Sequence, residues 1–368
     1  MRIVIRSSTA FGAGFDSKDV VVSRSQIGYA GGFAPWNQVV VVEPTAEARK
    51  AIDPRMARVM DKQSLLLMVA AQSCVRNGSD LSGVAPEARG LFAAIPAVDD
   101  HIPVPAALEE LRQTGRDSDA PLDLAILANN THPLVGLTCL NSTAAAQVCI
   151  HLETRGTAGV FCQDGDAGLT AIIEAALSVE NRENDLAFAM AVAPKISPYL
   201  FLQLEKAGYF RTEGKFPPLG EGAASLVLGG EGQPGTPRSS IAGYARGRCL
   251  SAEDAVEVRR ELMLRALAMA GADKGEVGFV WADPICGGYG SGTEQRALEA
   301  VFGFDLEHRS VEFPSANSGA ATGLFGCHRA ARILGEIASG NDNRQAFGVV
   351  NASGLGGQMA TVVVHYEA

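Results

Sequence analysis

Short apolar, β-rich runs alternate with helix-period segments along almost the whole of this chain, and that alternation limits the fold more than any other feature. Strand-like runs lie at 3–5, 20–23, 39–42, 90–95, 158–163, 186–192, 222–228, 240–246, 277–282, 346–351 and 359–366. Helical periodicity appears from Arg55 to Cys74 and at 106–113, 137–153, 166–178, 253–271, 293–302 and 319–338. Strands alternating with helices in both halves predict an α/β protein with mixed sheets covered by helices. The stretch holding Pro194, Pro198, Pro217 and Pro218 reads as exposed chain, and Gly229 to Pro237 as a surface hairpin tip.

At 368 residues, 47% of them hydrophobic and 41 of them Gly, the chain can bury one large core or two fused half-domains. A net charge of −10 argues against general nucleic-acid binding, which needs a basic footprint. It leaves room for an acidic protein partner at a local basic patch. The seven cysteines, at 74, 139, 149, 162, 249, 286 and 327, include no C-x-x-C pair and read as reduced thiols of a cytoplasmic protein. No signal-peptide pattern and no 18-residue apolar run is present, so neither secretion nor a membrane span is expected. The matches to the glycosylation pattern at Asn129 and Asn141 are read as chance.

The most specific segment is Gly156-Thr-Ala-Gly-Val-Phe-Cys-Gln-Asp-Gly165-Asp-Ala-Gly-Leu169, an apolar strand breaking into a helix. It resembles, without a gap, the nucleophile elbow of β-ketoacyl-acyl-carrier-protein synthases, which reads roughly G-P-S-x-T-V-D-T-A-C-S-S-S-L. Asp53-Pro-Arg-Met-Ala-Arg-Val-Met-Asp61 is similar to the family's early D-x-R-x-x-R-M-D motif. Asn141 and the Arg155-Gly156 pair fall at its interface helix and at the R-G that opens the elbow strand. Gly220-Glu-Gly-Ala-Ala-Ser-Leu-Val-Leu228 resembles its G-E-G-A-x-x-L-V-L strand, and Asn351-Ala-Ser-Gly-Leu-Gly-Gly-Gln-Met359 its N-S-F-G-F-G-G-x-N loop. The resemblance implies a thiolase fold, with two related α/β halves in a layered α-β-α-β-α core. We divide these as residues 1–235, with the interface strand, and 236–368. The loop residues Asn351, Gly354, Leu355, Gly356 and Gly357 are then expected at the acyl tunnel.

Three positions that carry the family's chemistry differ. Gly165 stands where the elbow has its nucleophilic Cys. The helix motif Thr293-Glu294, Ala297-Leu298, Ala300-Val-Phe302, counted back without a gap, puts Asp283 at the first catalytic His. In Ser315-Ala-Asn-Ser-Gly-Ala320, the K-S-x-T-G-H frame has Ser315 for Lys and Ala320 for the second His. Condensation needs a thiolate to take the acyl chain and imidazoles to stabilise the enolate. Histidines 101, 132, 151, 308, 328 and 365 occupy neither position. Asp164 and Asp166 flank the elbow at a helix start, where Asp166 suits an N-cap and the acidic pair opposes an oxyanion.

Other groups have plainer readings. Cys162 is expected as a small core residue facing away from position 165. Cys286 lies in a loop with no activating His nearby. Asp283 and Glu294 read as structural caps rather than a metal pair, Glu221 as a backbone-holding carboxylate, and His328 as part of a solvated face. No metal and no cofactor are expected.

Within this family the pattern resembles chain-length factors. The reading that follows is a catalytically silent subunit in a heterodimer with an active ketosynthase, shaping its acyl tunnel in type II polyketide or polyene biosynthesis. The seam would be Ala158, Gly159, Val160, Phe161, Cys162 and Gln163, with Asn141, and an acyl carrier protein would deliver chains to the complex. Two alternatives are a divergent thioester hydrolase or acyltransferase using Cys286, and a homodimeric acyl-binding scaffold.

Overall fold

In the computed structural model the described residues are 2–28, 32, 36–78, 81–96, 113, 129, 140–210, 216–230, 238–339 and 346–367. The helix expected at 106–113, the residues past Gly230 of the hairpin tip, and the 235/236 division lie wholly or almost wholly outside them.

One ten-stranded sheet runs through the molecule in the order β10-β9-β11-β12-β8-β1-β7-β6-β4-β5. The strands are β1 (Ile3–Gly12), β4 (Arg89–Ala94), β5 (Ala158–Phe161), β6 (Leu186–Val192), β7 (Gly222–Gly229), β8 (Arg238–Arg248), β9 (Val277–Trp281), β10 (Ser310–Glu312), β11 (Phe347–Ser353) and β12 (Gln358–Glu367). The strands from β1 to β7 and those from β8 to β12 repeat one order. In each set the first strand pairs antiparallel with the last, the last antiparallel with the one before it, and the rest are parallel. The two sets join where Ile3 and Val4 of β1 meet Ile241 and Ser240 of β8. A separate hairpin is formed by β2 (Val20–Gln26) and β3 (Gln38–Pro44).

The helices are α1 (Ala46–Lys50), α2 (Pro54–Ala57), α3 (Lys62–Arg76), α4 (Asn141–Leu152), α5 (Ala167–Glu180), α6 (Pro198–Lys206), α7 (Ala252–Ala270), α8 (Ser291–Phe302) and α9 (Thr322–Ser339). Helices α5 and α9 form the middle layer. Their apolar residues share one core with inward-facing residues of both strand sets, which is why α5 is buried nearly all round. A second core lies under α3 and α4, and a third under α7 and α8. This is the layered α-β-α-β-α arrangement of the thiolase fold.

The Pro-rich stretch departs from expectation because it contains α6. Ser197 caps that helix by accepting the N–H of Leu200 (3.2 Å), and Pro198 sits in the first turn, where a missing N–H costs nothing. Glu221 holds backbone as expected. It accepts from Val42 N (3.0 Å) and Ile196 N (3.1 Å) and pairs with Lys62 (2.6 Å).

Candidate functional site

Strand β5 carries the chain to the elbow, and α5 starts immediately after it. Gly165 lies between them with no room for a side chain. A Cβ there would stand 2.2 Å from the carbonyl oxygen of Ser353 and 3.8 Å from that of Gly319. Real Cβ atoms essentially never approach closer than 3.0 Å. The end of β11 therefore fills the space a nucleophile would need. Gly168, one turn on, packs as tightly, with its absent Cβ 2.2 Å from Ala320 O.

Asp283 is 1% exposed and belongs to a buried ionic network. The Arg259 guanidinium, 0% exposed, donates to Asp283 Oδ2 (2.6 Å), and its Nε lies 3.0 Å from Glu294 Oε2, close enough for ion pairing but without hydrogen-bond alignment. A further Arg259 N–H donates to the Ala360 carbonyl (2.9 Å). Asn351 donates to Glu294 Oε1 and accepts from Thr361, both at 2.7 Å. The Ser353 hydroxyl donates to Asp283 and accepts from Gly287 N (2.6 Å). Asp283 Oδ1 also accepts from Ile285 N (2.9 Å), so its local capping part is real but secondary.

Burial opposes the charge on Arg259, yet Glu294 and Asp283 outweigh it and hold the guanidinium charged beyond its ordinary range. Burial pushes Glu294 upward, with Arg259 opposing and Asp283 adding repulsion. Nothing in the sequence reading singled out Arg259. Its signal was available: a charged residue on the stripe of Ala255, Leu262, Met263 and Ala266 that α7 buries.

Asn351, expected in a tunnel-lining loop, is instead wholly buried near the end of β11. Gly354, Leu355, Gly356 and Gly357 do form the turn beyond it. There Asp164 Oδ2 accepts the Leu355 N–H (3.0 Å). Asp164 leaves more than a third of its surface open while its carboxyl tip is packed among protein atoms; desolvation of that tip, with repulsion from Asp283, raises its pKa. Asp166 occupies the N-cap position of α5 but makes no capping hydrogen bond, and its buried Oδ1 has no partner. Burial first, then repulsion from Asp164 and Asp283, pushes it up to about 6, against its own backbone N–H and Arg246.

Ala320 is 1% exposed and offers only a methyl group. Together with Pro96, Cys162, Gln163, Asp164, Pro194, Leu200, Leu204 and Leu355 it borders a cleft of about 260 Å³. Ser315 is exposed, near Gly14, and away from this cleft.

Two readings of single residues, Cys162 and His328, are corrected, and burial is added to that of Cys286. Cys162 is exposed rather than a core residue, because β5 ends at Phe161 and is an edge strand, so Cys162 and Gln163 lie just beyond the strand. Cys286 is fully buried beside Glu294, and burial pushes its thiol far above the ordinary range. His328 is half-buried, bonded to Ser8 (2.9 Å) and packed near Phe15. Asn141 donates to the carbonyls of Ile95 and Pro96, tying the start of α4 to the end of β4. Among the described residues no group of three or more His, Cys, Asp or Glu could hold a metal, and no helix is long and apolar enough to cross a membrane.

The family model described as "Beta-ketoacyl synthase, N-terminal domain" matches residues 38–233. This chain belongs to the β-ketoacyl synthase family. A curated relative, polyketide synthase ThaG of Burkholderia thailandensis, is 25% identical over 273 residues, covering 69% of this chain and 4% of the relative's length. Solved structures share the fold end to end. The ishigamide ketosynthase/chain length factor superposes at TM-score 0.71 with 16% identity over 100% of both chains. A β-ketoacyl synthase from Burkholderia phymatum gives 0.73 with 14% identity, again over 100% of both. A chain of AntDE:AntF, a type II PKS acyl-carrier protein in complex with its ketosynthase, gives 0.66 with 14% identity over 99% of each.

Proposed function

We propose that this protein is a catalytically silent ketosynthase-like subunit that pairs with an active ketosynthase and helps to shape its acyl tunnel. The carrying observation is the Ser353 carbonyl in the space of a side chain at Gly165. Asp283 is tied up by Arg259, and Ala320 has no proton to give or take, so neither an acyl-enzyme nor an enolate finds support. A subunit of this kind keeps shape rather than chemistry. The buried thiol of Cys286 speaks against the hydrolase alternative.

Pairing through β5 is supported by its position at the sheet edge, where among the described residues it is bonded only to β4, since an open edge strand is an aggregation hazard unless covered. An acyl carrier protein is the proposed supplier of chains to the complex, and the exposed Arg55 and Arg58 beside α2 are cations it could meet. Residues 1–235 and 236–368 remain our proposed halves, supported by the repeated strand order.

The test is co-expression with an active type II ketosynthase. A 1:1 complex that condenses acyl chains, with this chain alone inactive, is expected. A stable homodimer that condenses malonyl thioesters by itself overturns the reading.

A further inference from the structure

The ten-stranded sheet ends at β5 on one side and at β10 on the other, and among the described residues β10 is bonded only to β9. The parallel register sets Ser310 beside Phe279, Val311 beside Val280 and Glu312 beside Trp281, and Ala282 N donates to Glu312 O (2.9 Å). Backbone groups alternate in direction along a strand, so Glu312 faces β9 while the N–H and C=O of Val311 face away from the sheet. Among the described residues neither of these two groups has a partner. Side chains alternate as well. Glu312 turns to the middle layer, where Nε and Nη2 of Arg329 donate to its carboxylate (2.9 and 2.8 Å). Val311 and Phe313 turn to the side of α8, whose Gly292, Gln295 and Glu299 lie at helical spacing along the edge. Two hollows that share Gln295 separate helix from edge. One, of about 430 Å³, is apolar, bordered by Pro217, Pro284, Gly292, Pro314 and Phe313, the last 40% exposed. The other, of about 650 Å³, is bordered by Glu299, Leu306, Glu307, Arg309 and Val311. Its carboxylates are exposed, whereas the Arg309 guanidinium lies over Phe302 (4.6 Å) and donates to the carbonyls of Asp305 and Lys274.

We propose that this edge docks an extended peptide of a partner protein, which adds a strand beside β10 and carries a basic residue two positions from a large apolar one. Pairing at Val311 sets the register, and the hollows select the side chains. Residues two apart on a strand share a face about 6.6–7 Å apart, the same step that separates Val311 from Phe313. The basic residue therefore meets Glu299 and Glu307 when the apolar one meets Phe313 and Pro314. Charge favours this occupant over a second copy of the chain, since two copies meeting edge to edge would bring two acidic hollows together. The edge lies across the whole sheet from β5, so the proposal does not depend on the pairing proposed there.

Fluorescence anisotropy of the labelled synthetic peptide TRTFTVT, with hydrogen exchange over residues 309–313, tests this on the full chain. Saturable binding is expected, with exchange at Val311 slowed about tenfold at saturation. The peptide TRFTTVT has the same composition but puts the basic and aromatic residues on opposite faces, and should bind about tenfold more weakly. Joint replacement Glu299→Lys and Glu307→Lys should weaken TRTFTVT about tenfold, and Phe313→Ala about fivefold. Ala158→Lys, at the opposite edge of the sheet, should bind it as wild type does. Absence of saturable binding, equal affinity for the two peptides, loss of binding in Ala158→Lys, or unchanged exchange over 309–313 at saturation would each overturn the proposal. So would protection of 309–313 that rises with protein concentration in the absence of peptide, which is the mark of a second copy on this edge.

Discussion

The carbonyl oxygen of Ser353 stands 2.2 Å from the point where a Cβ of Gly165 would lie. The missing nucleophile is thus more than one absent side chain, because backbone from the other strand set occupies its place. Replacing Gly165 by Cys or Ala must displace that backbone, and is expected to cost about 2–4 kcal/mol in urea unfolding. Gly292, exposed in the first turn of α8 with nothing within 4 Å of its Cβ position, is the control. Gly292→Ala should stabilise by about 0.5–1 kcal/mol. No condensation activity should accompany Gly165→Cys.

Arg259 is held by two buried carboxylates, so removing it leaves both uncompensated. Arg259→Met is expected to destabilise by about 3–5 kcal/mol, and Asp283→His, which restores the family's residue type, by a similar amount. Calorimetric unfolding of both single variants and the double variant checks this. The double variant should lose less than the sum, since the two residues share one interaction.

Asp166 sets a pH dependence whose sign follows from its raised value of about 6, against an ordinary 3.8. The folded state holds this proton more tightly than the unfolded state. The contribution is therefore fully present below about pH 4, is lost as pH rises towards 6, and stays lost above. Asp166→Asn should be more stable than wild type at pH 8, by at most about 3 kcal/mol, with the difference vanishing near pH 4. Thermal melts across that range measure it.

His328 acts with the opposite sign. Burial, helped by Arg332 and Arg329, lowers it to about 4 from an ordinary 6.5. Its neutral form is favoured by folding, so its contribution is present above pH 6.5 and is lost as pH falls towards 4. His328→Gln should flatten the acid limb of the stability curve in this window.

Ala158 is exposed on the open edge of β5. Ala158→Lys should leave the stability of the isolated chain within about 0.5 kcal/mol, because the side chain is free to reach water. It should abolish the proposed 1:1 complex by placing a charge in the seam. Size-exclusion chromatography with light scattering distinguishes the two effects.

Much of the fold was legible because buried strands and amphipathic helices leave local periods that need no tertiary contact to be read. The long helices α5, α7 and α9 and strands β6, β7 and β12 all fall within a few residues of expectation. Helix α6 was missed because four prolines in the surrounding stretch outweighed the Ser197-Pro198 start signal, although proline at that position favours a helix. Cys162 was misplaced because alternation along a strand tells which face a side chain takes, not whether anything covers it. Arg259 was missed because its partners lie at 283 and 294, across a strand and a loop, and no local pattern links them.

From its sequence alone this chain determined the α/β alternation, the family motifs and the absence of Cys and both His at the three catalytic positions. Those are statements about residue type and spacing, which local chemistry carries. Only the tertiary structure decided what now occupies the emptied site: the Ser353 carbonyl against Gly165, Arg259 on Asp283, and Asp164 on the Leu355 N–H. Each of these contacts joins segments more than 20 residues apart. Close approach, desolvation and charge pairing at such separations depend on how the two strand sets pack around α5 and α9, and no short run of residues encodes that.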